Sequence, residues 1–276
     1  MARVAVVFTG GTISMGYDPV AGGNVPSLDG AAILARTPGL ARIAEVVTLD
    51  RGLTPASHFT FDDLAGLWDV IADALADATI DGVVVVQGTD TIEESGFAWD
   101  LRHRDRKPVV VTGAMRAPHE DGFDGPANLR DAVTVAASPR ARDVGVVVTL
   151  AGTIEPADDV TKTHTTAFTT FRSLNTGSLG RVANGLVTMA RGRGARRHVP
   201  GAGRAAPRVH LVTAGGGTDG ARAGRCLGHQ AASSSSASVS ESMAASRAAA
   251  RSSAPAVSSS TAMRAKAESA MVGMVR

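Results

Sequence analysis

The chain is poor in cysteine and in aromatic residues. Its 276 residues include one cysteine, one tyrosine, two tryptophans and seven phenylalanines. The single cysteine, Cys226, excludes an internal disulfide framework and is typical of a reducing compartment. So few aromatic side chains argue against the stacking platforms that bind single-stranded nucleic acid. We therefore expect a cytoplasmic protein with a core of valine, alanine and leucine.

Long apolar runs are also missing. No stretch approaches the roughly 18 apolar residues that cross a bilayer, and the apolar start of the chain is too short for a signal-peptide core. The sequence thus predicts no contact with a membrane. The fractions of hydrophobic residues, 44%, and of charged residues, 20%, are those of a globular protein that buries a sizeable core.

The net charge of +2 conceals two regions of opposite sign. Residues 1–190 have 15 Lys and Arg against 23 Asp and Glu, a net charge of −8. Residues 191–276 have 13 against 3, a net charge of +10. This division indicates either a basic binding tail or two segments of different origin. Alanine and serine make up 28 of the last 46 residues, a composition typical of disorder.

Short valine-rich runs alternate with amphipathic stretches over the first 190 residues. The runs predict buried parallel strands at residues 3–8, 45–49, 83–86, 108–112 and 144–150. Helices are predicted at residues 29–36 and 93–104, from residue 126, and after a Thr60-x-x-Asp63 cap, where apolar residues continue at helical spacing to Leu75. This alternation indicates an α/β fold, an open parallel sheet with helices on both faces.

The composition divides the chain into four segments. We expect an α/β domain over residues 1–190 and a Gly/Pro/Arg linker over residues 191–207. Residues 208–220, with one more strand at 209–213, would be the remnant start of a second domain. Residues 221–276 form an Ala/Ser-rich tail with little to bury.

Threonine–glycine pairs mark three of the four most apolar strand ends. The first is Thr9-Gly-Gly-Thr12, and the second is Gly88-Thr89, which Asp90 follows. In open α/β sheets the carboxyl ends of strands are where ligands bind. Alone, the Gly-Gly pair fits a tight strand-to-helix turn equally well. The loop over residues 14–27, long enough to be a lid, contains Tyr17.

A threonine hydroxyl is a weak nucleophile unless a base takes its proton. Thr89 and Asp90 place a hydroxyl beside a carboxylate, and Lys162 could be the amine base if burial favours its neutral form. The alternatives are ordinary, namely a helix N-cap for Asp90 and a solvated surface position for Lys162. The TGGT turn lacks the glycine patterns of dinucleotide and P-loop sites, so phosphate binding is the weaker interpretation.

Five blocks of the sequence resemble, in the same order, the motifs of the bacterial L-asparaginase family. They are TGGTIS at Thr9–Ser14, VVVVQGTDTIEES at Val83–Ser95, VTGAMR at Val111–Arg116, DGPANL at Asp124–Leu129 and DVTKTHTT at Asp159–Thr166. The resemblance covers about residues 3–220 and implies a flavodoxin-like N-terminal domain. It also implies hydrolysis of the side-chain amide of L-asparagine, and possibly of L-glutamine, to the acid and ammonia through a threonine acyl-enzyme.

The resemblance implies five catalytic residues. Thr12 would be the nucleophile and Tyr17 its assistant on the lid, while Thr89, Asp90 and Lys162 would form a second, triad-like set. Which threonine attacks first is less settled than the membership of the set. The family uses no metal and no organic cofactor, and it forms homo-oligomers.

Four further positions would hold the substrate. Ser57 and His58 stand where the family has a Ser–Gln pair for the substrate's α-carboxylate, so His58 is a departure that bears on substrate preference. Gly88 and Ala114 would line the pocket, and backbone N–H groups at the turns would form the oxyanion hole. The remaining histidines are isolated along the chain and indicate no metal cluster.

The resemblance ends near residue 220. The family continues there into a smaller α/β domain that completes a neighbouring subunit's site with an acidic residue. After Asp219 the only acidic residues of this chain are Glu241 and Glu268, and both lie in low-complexity sequence. We hypothesise that the coding frame shifts near residue 220, with a nucleic-acid-binding tail as the alternative. A catalytically impaired family member and a small-molecule-binding module without catalysis are the rival functions.

Overall fold

The structure, a computed structural model, describes residues 1–199. The strand predicted at 209–213, the remnant at 208–220 and the tail at 221–276 therefore lie outside the described residues. So does the end of the predicted linker.

Twelve strands and four α-helices occupy residues 1–199. The strands are β1 (Ala2–Phe8), β2 (Met15–Asp18), β3 (Gly23–Pro26), β4 (Ala44–Asp50), β5 (Gly82–Val86), β6 (Val109–Thr112), β7 (Val146–Leu150), β8 (Thr153–Pro156), β9 (Val160–Lys162), β10 (Phe171–Ser173), β11 (Gly180–Ala183) and β12 (Leu186–Met189). The helices are α1 (Gly30–Ala35), α2 (Phe61–Ala76), α3 (Ile92–Asp100) and α4 (Gly125–Ala137).

An eight-stranded sheet organises these elements, in the order β12-β11-β8-β7-β6-β5-β1-β4. The five strands from β7 to β4 are parallel neighbours, and β8, β11 and β12 extend the sheet antiparallel. Numbered along the chain, the parallel strands follow the order 2-1-3-4-5, which is the flavodoxin-like arrangement. The predicted open parallel sheet is thus confirmed. The antiparallel extension was not predicted, because its short strands lack the valine runs of the others.

Valine runs form the parallel strands because both faces of the sheet are covered. On β5, Val84 and Val86 face a core shared with α1 and α4, whereas Val83 and Val85 face a second core shared with α2 and α3. All four valines are fully buried. The helices predicted on both faces are therefore present.

One crossover has the opposite hand from the rest. The connections through α2, α3 and α4 all step across the sheet in the same direction, whereas the connection through α1 steps the other way. If all four crossovers had the same handedness, α4 would lie on the same face of the sheet as α2 and α3. It packs instead on the face of α1. The β6–α4–β7 crossover therefore departs from the strong preference for right-handed connections.

Residues 14–27 form a hairpin rather than an irregular loop. β2 pairs antiparallel with β3, and the backbone carbonyl of Ser14 accepts hydrogen bonds from the N–H groups of Ser27 and Leu28. The carboxylate of Asp18 accepts the N–H of Val20 at 2.8 Å and so closes the tip. The strands carry few β-branched residues, which is why the sequence pattern did not reveal them.

Four side chains fasten the start of the predicted linker to the domain. We name Asp100, His103, Arg193 and Arg196 the Asp100 cluster. Arg193 Nη2 lies 2.8 Å from Asp100 Oδ2, and Arg196 Nη1 lies 3.1 Å from Asp100 Oδ1. Only 2% of the Asp100 side chain and 4% of the Arg193 side chain are exposed. α3 ends at Asp100, four residues before its predicted end.

His103 in this cluster is held neutral. Its ring nitrogens contact the Lys107 carbonyl oxygen at 2.9 Å and Arg196 Nη1 at 3.2 Å. Burial first, and the neighbouring Arg196 guanidinium second, lower the pKa of His103 to about 4, against the opposing effects of the Lys107 carbonyl and Asp100. A neutral ring can accept the guanidinium N–H, whereas an imidazolium could not.

Candidate active site

The ends of β1 and β5 touch through two glycines. Gly11 has a φ of 93°, and a Cβ built on it would lie 2.3 Å from the backbone nitrogen of Gly88. Only glycine fits there, both for its backbone angle and for this approach. Thr12 and Thr89, the residues that follow these glycines, are therefore at adjacent strand ends. The site lies between the first and third parallel strands, where the order of a flavodoxin-like sheet reverses and ligands bind.

Thr89, Asp90 and Lys162 are in direct contact. Lys162 Nζ donates hydrogen bonds to Thr89 Oγ1 and to Asp90 Oδ1, each at 2.9 Å. Thr89 is buried, and only 16% of the Lys162 side chain is exposed, whereas 71% of the Asp90 side chain is. The ordinary alternative for Lys162, a solvated surface position, is therefore wrong. An amine, a hydroxyl and a carboxylate in contact have the chemical groups that proton transfer requires.

Lys162 lies 73 residues after Thr89 in the sequence. It ends β9, which pairs with β10 in a separate two-stranded sheet. Just before β9, Asp159 accepts hydrogen bonds from Asn175 and Thr176 beyond β10. Burial raises the pKa of Asp159, but the Thr176 and Asn175 hydrogen bonds outweigh it and hold the pKa below its ordinary value. The DVTK block thus combines an anchored carboxylate with the lysine.

The predicted substrate-binding positions surround the same strand ends. Ser57 and His58 lie in an exposed 3-10 turn at Ala56–His58. This turn is held against the end of β5, because Thr91 Oγ1 donates to the Ala56 carbonyl at 3.1 Å. On the other side, a Cβ built on Gly113 would lie 3.3 Å from Thr89 Cγ2, so the next residue, Ala114, is also at this edge. Ala114 itself is buried.

This geometry agrees with the comparisons to known proteins. The family model described as asparaginase, N-terminal, matches residues 3–193. The chain belongs to the asparaginase family. It is 36% identical over 203 residues to "L-asparaginase 2" of Escherichia coli and 48% identical over 111 residues to the "Probable L-asparaginase periplasmic" of Haemophilus influenzae. These matches cover 72% and 40% of this chain.

Asparaginases of known structure share the fold. The crystal structure of the "Probable Cytoplasmic L-asparaginase from Campylobacter jejuni" matches with a TM-score of 0.74 at 28% sequence identity. That match covers 83% of this chain and 71% of the other. The chain spans 57% of the length of the E. coli relative and 32% of the H. influenzae relative. The family assignment therefore concerns the N-terminal domain.

Tyr17 lies apart from the contacts that join the strand ends. It is on β2 of the hairpin, 57% exposed, and its ring centroid is 5.7 Å from that of His119 at an angle of 53°. His119 follows β6, so the hairpin and the loop after β6 meet above this edge of the sheet. The sequence predicts a lid at this segment; the structure shows a hairpin there, and the lid function stays a prediction.

Two polar residues that sequence reasoning did not assign support the loops around the candidate site. The Asp124 carboxylate accepts the backbone N–H groups of Met115 and Arg116 at 3.0 Å. Asn128 Nδ2 donates to the Gly113 carbonyl at 3.0 Å, and its Oδ1 accepts the N–H of Ala151 at 3.0 Å. The pair ties the turns after β6 and β7 together. Both residues lie in the DGPANL block, which was the signal that could have found them.

An apolar groove lies beside the site. Its volume is about 350 Å³, and it is lined by residues of the 56–61 segment, α2 and α3, including Phe59, Phe61 and Leu64. Neither Thr12 nor Thr89 lines it. We do not assign a substrate to this groove, because an amino acid needs charged and polar contacts.

Residues 1–199 contain no group of three or more His, Cys, Asp or Glu side chains arranged to hold a metal ion. No helix among them has the length and apolarity needed to cross a bilayer.

Proposed function

We propose that the chain is an L-asparagine amidohydrolase. The observation that carries this proposal is the contact of Lys162 Nζ with both Thr89 Oγ1 and Asp90 Oδ1, at 2.9 Å each. Amide hydrolysis needs an activated hydroxyl, a proton donor for the departing ammonia and donors for the oxyanion. The contacting lysine and threonine can meet the first two needs. We assign the third to backbone N–H groups at the glycine-rich strand ends.

The reaction has two steps. A threonine oxygen attacks the side-chain carbonyl carbon of asparagine and gives its proton to the base. The C–N bond then breaks, the proton passes to the leaving nitrogen, and ammonia departs from an aspartyl ester. Water attacks the ester carbon in the second step, so aspartate leaves and the threonine hydroxyl is restored. We assign Thr12 as the nucleophile and Tyr17 as its assistant.

Thr89, Asp90 and Lys162 have the proton-transfer role in this scheme. Lys162 takes the proton of Thr89 in this scheme, and Asp90 stabilises the ammonium that results. Because Lys162 contacts Thr89 rather than Thr12, the alternative that Thr89 attacks in one of the two steps deserves a direct test. Comparison of Thr12→Ala with Thr89→Val in rapid-quench experiments separates the two. The variant that still accumulates aspartyl ester retains the attacking threonine.

The substrate's α-carboxylate is assigned to Ser57 and His58, both exposed beside the end of β5. Gly88 and Ala114 would line the pocket for the side-chain amide. L-Glutamine is the second candidate substrate, and its extra methylene is all that the pocket must distinguish. A hydrophobic contact to one methylene typically gives discrimination of about 10-fold to 200-fold.

Cellular location and assembly are further proposals. The single cysteine supports a cytoplasmic location, although relatives named as cytoplasmic and as periplasmic both exist. Association into a homo-oligomer follows from the family resemblance, and size-exclusion chromatography measures it.

Ammonia release from L-asparagine tests the proposal. We expect release by the wild-type chain and a loss of at least about 10³-fold in Thr12→Ala, because no other hydroxyl replaces a missing nucleophile in place. Thr165→Ala is the matched control, since Thr165 is an exposed threonine of the loop between β9 and β10. It should retain the wild-type rate.

Equal rates in the wild type, in Thr12→Ala and in Thr89→Val would reject amide hydrolysis at this site. A thermal shift with aspartate then distinguishes the two rival functions. Stabilisation by aspartate without ammonia release identifies an impaired asparaginase, whereas no stabilisation identifies an unrelated binding module.

A further inference from the structure

We infer that Glu93 is a positioning residue that holds Lys162 in place for proton transfer. Glu93 Oε2 accepts the backbone N–H of Lys162 at 2.6 Å. This inference rests on the proposed amidohydrolase function, because it concerns the same lysine. It adds a residue whose side chain touches neither the threonines nor the substrate in the scheme above.

The contact closes a loop of interactions around the lysine. Glu93 lies in the first turn of α3, three residues after Asp90. The same short segment therefore holds Lys162 at both ends. Its backbone is held by Glu93, and its Nζ is held by Thr89 and Asp90. The position of the amine relative to the Thr89 hydroxyl is set within this one unit.

Such a tie is needed because Lys162 is not part of the main sheet. Thr89 and Asp90 follow β5 in the middle of the eight-stranded sheet, whereas β9 pairs with β10 outside it. The N–H of Lys162 thus has its partner in a side chain of α3. A lysine side chain also has many accessible rotamers. A fixed backbone reduces the number of arrangements in which Nζ misses its target.

A simpler role for Glu93 would be to stabilise the N-terminus of α3 through the helix dipole. Glu94 occupies the same first turn with the same charge, and it is exposed. The two glutamates therefore share the helix-terminal effect, but only Glu93 is bonded to Lys162 among the described contacts. Glu94→Ala is consequently the matched control for Glu93→Ala.

The experiment compares Glu93→Ala, Glu93→Gln and Glu94→Ala with the wild type. We measure kcat and KM for ammonia release from L-asparagine, and backbone amide hydrogen exchange at Lys162. Glu93→Ala should lower kcat by about 10-fold to 100-fold with KM nearly unchanged, the effect of one lost hydrogen bond to a charged group. It should also speed exchange at Lys162. Glu93→Gln retains an acceptor oxygen and should recover most of kcat, while Glu94→Ala should match the wild type in both measurements.

Several results would overturn the inference. They are an unchanged kcat in Glu93→Ala, an equal loss in Glu94→Ala, or a loss in Glu93→Gln as large as that in Glu93→Ala, since the last would indicate a role of charge alone. If Glu93→Ala does not fold, Glu93→Asp takes its place, because the shorter side chain withdraws the carboxylate without removing its charge. Glu93→Asp should then lower kcat and speed exchange at Lys162, and wild-type values would reject the inference.

The exchange measurement separates this inference from the proposed function. If the wild-type chain releases no ammonia, the proposed function fails, but the exchange rates still decide whether Glu93 holds Lys162. Faster exchange at Lys162 in Glu93→Ala than in Glu94→Ala supports the tie. Equal rates in the two variants reject it.

Discussion

Two ion pairs in this domain each join an aspartate to a basic side chain, but they differ in how exposed the aspartate is. At the strand ends, Lys162 pairs with Asp90, whose side chain is largely exposed. In the Asp100 cluster, Arg193 pairs with Asp100, and almost nothing of either side chain is exposed. Both pairs join segments far apart in the sequence. They differ in how much of their hydrogen-bonding capacity is left.

In the Asp100 cluster the carboxylate has many partners. Asp100 accepts hydrogen bonds from the Val146 N–H and from the guanidinium groups of Arg193 and Arg196. A carboxylate so surrounded has no room for a substrate and serves to hold structure. The exposed Asp90 side chain, in contrast, can accept further hydrogen bonds, and it lies next to the buried hydroxyl of Thr89. Exposure and free hydrogen-bonding capacity, rather than the presence of an ion pair, therefore distinguish the proposed site from the buried cluster.

The largest effect we expect comes from removing the amine at the strand ends. Lys162→Met should lower kcat for asparagine by about 10³-fold, within the range that proton-transfer groups contribute, and it should leave KM similar. Lys107→Met is the control, because Lys107 Nζ donates to the carbonyl oxygens of Leu75 and Asp77 near the end of α2, where it can affect only stability. A comparable loss of rate in both variants would contradict the assignment of Lys162.

The next largest effect concerns stability, and it comes from breaking the buried pair of Arg193 and Asp100. Arg193→Met should lower the free energy of unfolding by about 3 kcal/mol or more, because it leaves a buried Asp100 with less compensation. Denaturant titration measures this. Arg106→Met, which removes the exposed partner of Asp143, should leave the transition midpoint almost unchanged. Similar midpoints for the two variants would show that Arg193 does not compensate a buried charge.

A smaller effect, dependent on pH, sharpens the same comparison. The pKa of His103 is about 4 in the folded chain and about 6.5 when exposed, so between these values the unfolded state binds the proton more readily. Stability is therefore fully present above pH 6.5 and falls as the pH drops toward 4. The loss amounts to about 3 kcal/mol by the 1.36 kcal/mol per pKa unit.

His103→Gln isolates this contribution, since glutamine does not titrate. The difference in unfolding free energy between wild type and variant should change across pH 6.5 to 4 and level off below about 4. A difference that stays constant over this range would show that His103 does not titrate abnormally.

Most of the fold follows from local sequence patterns. The valine runs predicted every parallel strand, because a strand buried on both faces needs apolar residues at consecutive positions. Thr60 and Asp63 form the capping box that begins α2, as the Thr-x-x-Asp spacing indicates. The hairpin of β2 and β3 and the strands β8 to β12 were not predicted, since they are short and their pairing depends on tertiary contacts.

The candidate site was predictable in membership but not in its supports. The motifs identified Thr89, Asp90 and Lys162, which the structure brings into contact. Local patterns could not show that Glu93 binds the Lys162 backbone 69 residues away, nor that Arg193 in a glycine-rich segment is buried against Asp100. Those contacts arise from the topology of the chain rather than from neighbouring residues.

The most direct test of the comparison pairs Asp90→Asn with Asp100→Asn and measures ammonia release and the unfolding midpoint of each. The account predicts that Asp90→Asn loses about 10²-fold in rate at an unchanged midpoint. It predicts that Asp100→Asn lowers the midpoint while its folded molecules retain the wild-type rate. A reversed pattern, with the rate lost in Asp100→Asn and the midpoint lowered in Asp90→Asn, would contradict the assignment of chemistry to the strand ends.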